Sequence, residues 1–233
     1  MSGAGADPDE RPGGGAQMDL IGYWRSSAAY RVRIALNLKG LDYRTRVVNL
    51  QAGEQSSESY RRLNPQGLAP TLVAGDGALL TQSLAIIEWL DETYPDPPLL
   101  PADPTERALA RAAALDIACD IHPLNNLRVL KYLRGPLGQP EDRVQDWIRQ
   151  WIVDGLGGLE TRFSGRDGDF MFGTAPGLFE IFLAPQLYSA RRFGVDLTPY
   201  VRLRRADAAA NALPAFQRAA PEQQDDAPRR EPN

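Results

Sequence analysis

Histidine and cysteine occur once each in this chain of 233 residues, as His122 and Cys119. One of each, three positions apart, is too few donors for a metal site. A lone cysteine excludes an intramolecular disulfide and fits a reducing compartment, so a cytoplasmic location is expected. Lysine is nearly missing: Lys39 and Lys131 are the only two among 26 basic side chains. Arginine carries the positive charge instead, and its planar fork suits carboxylates better than an ammonium does. The net charge is −4, which argues against nucleic acid as a partner. No run is long and apolar enough to span a bilayer, so no membrane partner is expected. What remains, 43% hydrophobic and 24% charged residues, is the composition of an ordinary globular protein.

Residues 1–17 are acidic and Gly-rich with no apolar stretch, which excludes a signal peptide and reads as a disordered leader. Residues 223–233 read as a frayed polar tail. Between them the chain divides in two. Residues 20–24 have the pattern of a buried strand, and Ser26 or Ser27 then offers an N-cap to an amphipathic helix ended by Gly40. Residues 43–49 are β-rich, 57–63 suit a short helix, and 71–73 with 78–80 alternate around "GDG" as a hairpin. A further helix starts near Ser83 and stops at Pro95. This β-α-β-α-β-β-α order makes a compact α/β domain over 18–98. A Pro-rich linker, 99–104, follows. Strand signals then vanish. Asp103 as N-cap, Pro104 at N1 and Glu106 at N3 open a helix that runs to about residue 133, with a kink or break expected at Pro123. Helices over 142–163, 178–193 (with Pro185 inside) and 201–213 complete an all-helical domain, 105–222.

Several constellations could carry chemistry. Ser26 and Ser27 sit at a helix N-terminus, where unpaired N–H groups favour an anion. A hydroxyl there can donate to a thiolate, although no cysteine of this chain is near, and capping alone would also explain both serines. In "GLAPTL", Pro70 suits either an ordinary turn or a cis bond that leaves the backbone of Ala69 to grip an extended peptide. Gln82 and Ser83 form a second helix start suited to a carboxylate, or a cap. His122 lies in the stretch of the expected kink, with Asp120, Asn125, Asn126 and Arg128 around it, a cluster that local hydrogen bonding would explain unless it faces the first domain. Arg191 and Arg192 end a helix, where they complement its dipole unless one turns inward as a carboxylate clamp.

In order and spacing, "RSSAAYRVRIALNLKGLDY", "LNPQGLAPTL", "TQSLAIIEWLDETYP", "LLPADP", "CDIHPLNNLRVLKYL" and "APQLYSARRFGVDLTPY" resemble the zeta class of glutathione transferases. The resemblance covers residues 19–225. It implies a thioredoxin-like N-terminal domain, an all-α C-terminal domain, a homodimer, and glutathione as cofactor. It implies a glutathione-dependent cis–trans isomerase of maleylacetoacetate or maleylpyruvate in aromatic-compound catabolism. By the same resemblance Ser26 holds the thiolate with Ser27 in support. Ala69, before a cis Pro70, grips the cysteinyl backbone, and Gln82 and Ser83 take the γ-glutamyl carboxylate. Gln55, His122, Asn126 and Arg128 add cofactor contacts, and Arg192 and Arg25 hold the carboxylates of the substrate. Two positions depart from the pattern: Ala28 stands where the class often has Cys, and Gly177 with Glu180 replaces a Thr- or Ser-x-x-Asp box. The competing readings are a zeta-like transferase that conjugates electrophiles or dehalogenates small haloacids, and a non-catalytic glutathione-binding protein.

Overall fold

The computed structural model describes residues 17–228. All of the expected leader except Gln17, and the tail beyond Pro228, lie outside these residues. Five buried residues form β1 (Met18–Gly22), the centre of the first unit. It pairs parallel with β2 (Tyr43–Val47) and antiparallel with β3 (Thr71–Val73), which pairs antiparallel with β4 (Leu79–Thr81), giving the order β2-β1-β3-β4. The first strand lies two residues earlier than its apolar run suggests. Tyr23 and Trp24 leave the sheet because the chain turns there, with Ser26 N–H donating to the Tyr23 carbonyl at 3.0 Å. Ala78 falls in the hairpin turn and shifts β4 one residue on, since Ala74 N–H bonds the Ala78 carbonyl at 2.9 Å.

Helix α1 (Ser27–Leu38) is buried along its whole middle, arginines included, because it lies between the sheet, α3 (Ser83–Thr93) and the second unit. The short α2 (Glu58–Arg61) is capped by Ser57, which accepts from Tyr60 N–H at 3.2 Å. In the second unit Asp103 caps α4 (Pro104–Leu115), accepting from Glu106 N–H at 2.9 Å. The break expected at Pro123 begins earlier. A π-helical turn, Asp116–Ile121, is followed by a 3₁₀ turn, His122–Asn125, before α5 (Leu127–Arg134). Its cause is distant in sequence. Ile121 bulges onto α6 (Glu141–Phe163) at Gly155, where a Cβ would come within 2.3 Å of the isoleucine side chain.

α7 (Leu178–Arg192) runs unbroken through Pro185 as the central helix of the all-α unit. Its start explains the second departure from the zeta pattern. A Cβ at residue 177 would meet the Leu99 carbonyl oxygen at 2.8 Å, and Leu178 N–H donates to that same oxygen at 2.7 Å. Gly177 cannot cap with a side chain, so the Glu180 carboxylate folds back and accepts from Gly177 N–H at 2.9 Å and Met171 N–H at 2.7 Å.

The last stretch corrects the sequence reading twice. The helix expected over 201–213 ends early as α8 (Val201–Asn211), and a separate α9 (Pro214–Ala219) follows, its start fixed by Pro214 at N1. The tail expected to fray from 223 is instead laid against the first unit as far as Asp226, whose carboxylate accepts from Trp24 N–H at 2.9 Å. Arg33 ties the same corner, donating to the carbonyls of Ala219 and Trp24 at 2.9 Å each. One continuous apolar core links α1 and α3 to α4, α6 and α7.

Candidate active site

The turn after β1 delivers Ser26 to the N-cap of α1, where its Oγ accepts from Ala29 N–H at 3.2 Å. Capping uses a lone pair of the hydroxyl and leaves its hydrogen to donate elsewhere. The two readings of this serine are therefore compatible. Ser27 is the first helical residue, so its N–H is one of the unpaired donors at the positive end of the helix. Small residues are required here because α1 lies close on the sheet: a Cβ on Gly22 would sit 3.0 Å from that of Ala29.

Beside this helix mouth runs the segment before β3. The Ala69–Pro70 bond is cis, as is Asp96–Pro97. The N–H and C=O of Ala69 enter no hydrogen bond among the described residues. Gln55 closes the same wall, since Gly67 approaches its carbonyl so nearly that a Cβ would stand 2.9 Å away. The Gln55 side-chain oxygen is buried with no donor. Gln82 begins α3 at φ 69°, a left-handed conformation that a side chain resists, so it is held there at a cost of order 1–3 kcal/mol. Ser83 follows as the first residue of α3, buried, with its Oγ accepting from the Arg31 guanidinium at 3.3 Å. His122 lies near the same guanidinium. Burial and the Arg31 charge push its pKa down to about 3, so it is a neutral ring. Arg31 thus bonds Ser83, and its charge also bears on His122, far apart from Ser83 in sequence.

The two arginines at the end of α7 separate completely. Arg191 pairs with Asp207 of α8, whose side chain is 3% exposed. Arg192 forms no ion pair among the described residues. Its guanidinium lies 4.1 Å from the Phe193 ring centroid, and partial burial and the positive charge of Arg25 lower its pKa. Arg25 stacks on Trp24 at 5.1 Å. Both cations also act on Tyr188, which donates to Glu222 at 2.6 Å and whose hydroxyl is pushed up to about 12 by burial and that carboxylate. Two neighbouring cations that form no ion pair among the described residues suit an anion, and a diacid above all.

Not every expected contact joins this group. Asn126 caps α5, accepting from Arg128 N–H at 3.3 Å, and Arg128 is exposed. Neither has a hydrogen bond to the α1, β3 or α3 residues above among the described residues. Conversely, Arg31, Tyr188 and Asp226 belong to the site and were not singled out. The sequence carries no signal for Arg31: it is buried because α1 is covered through its middle by the rest of the fold.

A family profile described as "Glutathione S-transferase, N-terminal domain" matches residues 25–93, the segment that carries Ser26, Ala69 and Ser83. A four-stranded mixed sheet, a helical second unit and a hydroxyl at the mouth of α1 define the class as glutathione transferase. A probable maleylacetoacetate isomerase of Vibrio cholerae is 50% identical over 210 residues, covering 89% of this chain and 97% of the other. A solved holo maleylpyruvate isomerase, described as a bacterial glutathione S-transferase of the zeta class, superposes with a TM-score of 0.87 at 45% identity, covering 90% of this chain and all of that one. A maleylacetoacetate isomerase of Anaeromyxobacter dehalogenans, solved with dicarboxyethyl glutathione and citrate in its active site, gives 0.82 at 44% identity, covering 91% and 98%. This chain belongs to the zeta-class glutathione transferase family, the family of these isomerases.

Proposed function

We propose that the protein is a glutathione-dependent cis–trans isomerase that converts a maleyl dicarboxylate, maleylacetoacetate or maleylpyruvate, into its fumaryl isomer. The observation that carries this reading is that Arg25, next to Ser26 in the chain, and Arg192 form no ion pair among the described residues although the charge of one bears on the other. A conjugating transferase for neutral electrophiles has no use for two unpaired cations. The site fits glutathione on its own terms: among the described residues the backbone of Ala69 is free, the buried Gln55 oxygen lacks a donor, and two helix N-termini offer unpaired N–H groups to anions. When bound, glutathione supplies a thiolate nucleophile that adds reversibly to the maleyl double bond and so permits its rotation.

Ser26 would donate to that sulfur at the positive end of α1 and favour the thiolate, with Ser27 N–H in support. Ala69 and Gln55 hold the backbone of the tripeptide in an extended pose, and Gln82 and Ser83 take its γ-glutamyl carboxylate. His122, as a neutral ring, offers a hydrogen bond without adding charge, and Asn126 and Arg128 would add outer contacts to the tripeptide. Arg25 and Arg192 orient the diacid and stabilise the negative charge that builds on it. Tyr188 stays protonated through neutral pH, its hydrogen held by Glu222. The enzyme works in the cytoplasm as a homodimer, in aromatic-compound catabolism.

A UV assay of maleylacetone and maleylpyruvate isomerisation, with and without glutathione, tests the reading. Turnover that requires glutathione and collapses in Ser26→Ala supports it. Glutathione binding without turnover of either compound would move the assignment to conjugation or dehalogenation.

A further inference from the structure

Three basic side chains of the α1 segment are buried, and two are fully matched. Arg33, 3% exposed, donates to two carbonyls. Lys39, 8% exposed, pairs with Asp91 and the Pro97 carbonyl. Arg31 differs. It is 1% exposed, yet its Nε and one terminal nitrogen have no acceptor, and its only hydrogen bond goes to Ser83 Oγ at 3.3 Å. No carboxylate answers its charge among the described residues, and burial lowers its pKa to about 9. The Phe182 ring, 4.4 Å from the guanidinium carbon, compensates only in part. A buried cation left in this state costs folding energy, so its retention points to an anion that arrives later.

Ser83 shows where the anion sits. Its oxygen is already engaged as an acceptor from Arg31, which leaves its hydrogen to donate to a ligand at the start of α3. There Gln82 is held at φ 69° and the first N–H groups of the 11-residue helix are free. We infer that Arg31 is a positioning residue for the cofactor: it fixes the Ser83 hydroxyl as a donor and lends buried positive charge, through that hydroxyl, to the γ-glutamyl carboxylate of glutathione. This rests on the glutathione reading above. Arg31 touches neither sulfur nor substrate, so its effect falls on cofactor affinity and not on the isomerisation step.

The test is calorimetric titration of the full-length protein with glutathione and with γ-aminobutyryl-cysteinyl-glycine, which lacks only that carboxylate. Wild type, R31M, R31K and S83A are compared, with thermal unfolding of each ligand-free protein. Wild type should prefer glutathione over the analogue by at least about tenfold, the value of one charge-assisted hydrogen bond. R31M should lose most of that preference by weakening glutathione alone, raise KM for glutathione with kcat nearly unchanged, and melt no lower than wild type. R31K should recover much of the preference, and R31M should add little in an S83A background. Equal weakening of both ligands by R31M, or an undiminished preference, would overturn the inference while leaving the functional reading intact. A wild type that binds no glutathione at all would overturn both.

Discussion

Arg191 and Arg192 are neighbours of identical chemistry, and their removal should produce opposite phenotypes. Arg191→Ala strips the cation from Asp207, a carboxylate 3% exposed that keeps one Asn211 amide at 2.8 Å. Breaking a fully buried pair costs about 3–5 kcal/mol. Because the Arg191 side chain is 50% exposed and Asn211 remains, about 2 kcal/mol is the fitting figure. For a chain of this size that lowers Tm by about 4–8 °C. Arg192→Ala removes no partner and relieves the repulsion from Arg25, so Tm should stay within about 1 °C of wild type. Its cost falls on the substrate: one charge-assisted bond to a carboxylate, about 1.5–3 kcal/mol, which is about 10- to 150-fold in kcat/KM. Differential scanning fluorimetry and steady-state isomerisation kinetics on the two variants decide the matter. Equal kinetic losses with equal melting points would refute the assignment of Arg192 to the substrate and Arg191 to the scaffold.

Ser26→Asp should keep the helix cap and lose the donor hydrogen, so it retains stability within about 1 kcal/mol while isomerisation collapses, whereas Ser26→Ala loses both; thermal melts beside kinetics separate the two functions of the hydroxyl. His122 is held at about 3, below its unfolded value near 6.5, so the unfolded chain binds the extra proton between these values and stability falls as pH drops through that window. The slope from this one group is at most about 1.4 kcal/mol per pH unit, and urea titrations of His122→Gln from pH 7 to 4 should show it reduced. Gly155→Ala drives a methyl into Ile121 and should cost about 1–3 kcal/mol by displacing the π-turn that directly precedes His122, seen as a lower Tm with a raised KM for glutathione. Asp226→Ala frees the Trp24 N–H and should lower kcat/KM more than it lowers Tm.

The two-part architecture was legible because its signals are local. Strand alternation stops at the Pro-rich linker, and Asp103 with Pro104 announces the first helix of the second unit within four residues. Ser26, Ala69 and Ser83 were legible as candidates only at the level of type, since each could equally have been a cap or a turn residue. What escaped the sequence depends on partners far along the chain. The π-turn exists because Ile121 meets Gly155, and the early end of β1 depends on the turn to Ser26. Arg191 and Arg192 cannot be told apart without Asp207, sixteen residues on. Burial of Arg31 and Arg33 inverts the usual rule that arginine marks a solvated helix face, and no periodicity reveals it.

The bond from Trp24 to Asp226 spans 202 positions, and those from Arg33 to Ala219 and Asn37 to Ala215 span 186 and 178. The loop that presents Ser26 is therefore completed by residues 215, 219 and 226, far along the chain. A nascent chain can fold its sheet early, but Arg33 has its second acceptor only when residue 219 emerges. A chain broken before residue 219 would therefore hold Ser26, Ala69 and Ser83 without the contacts that fix the corner around Trp24.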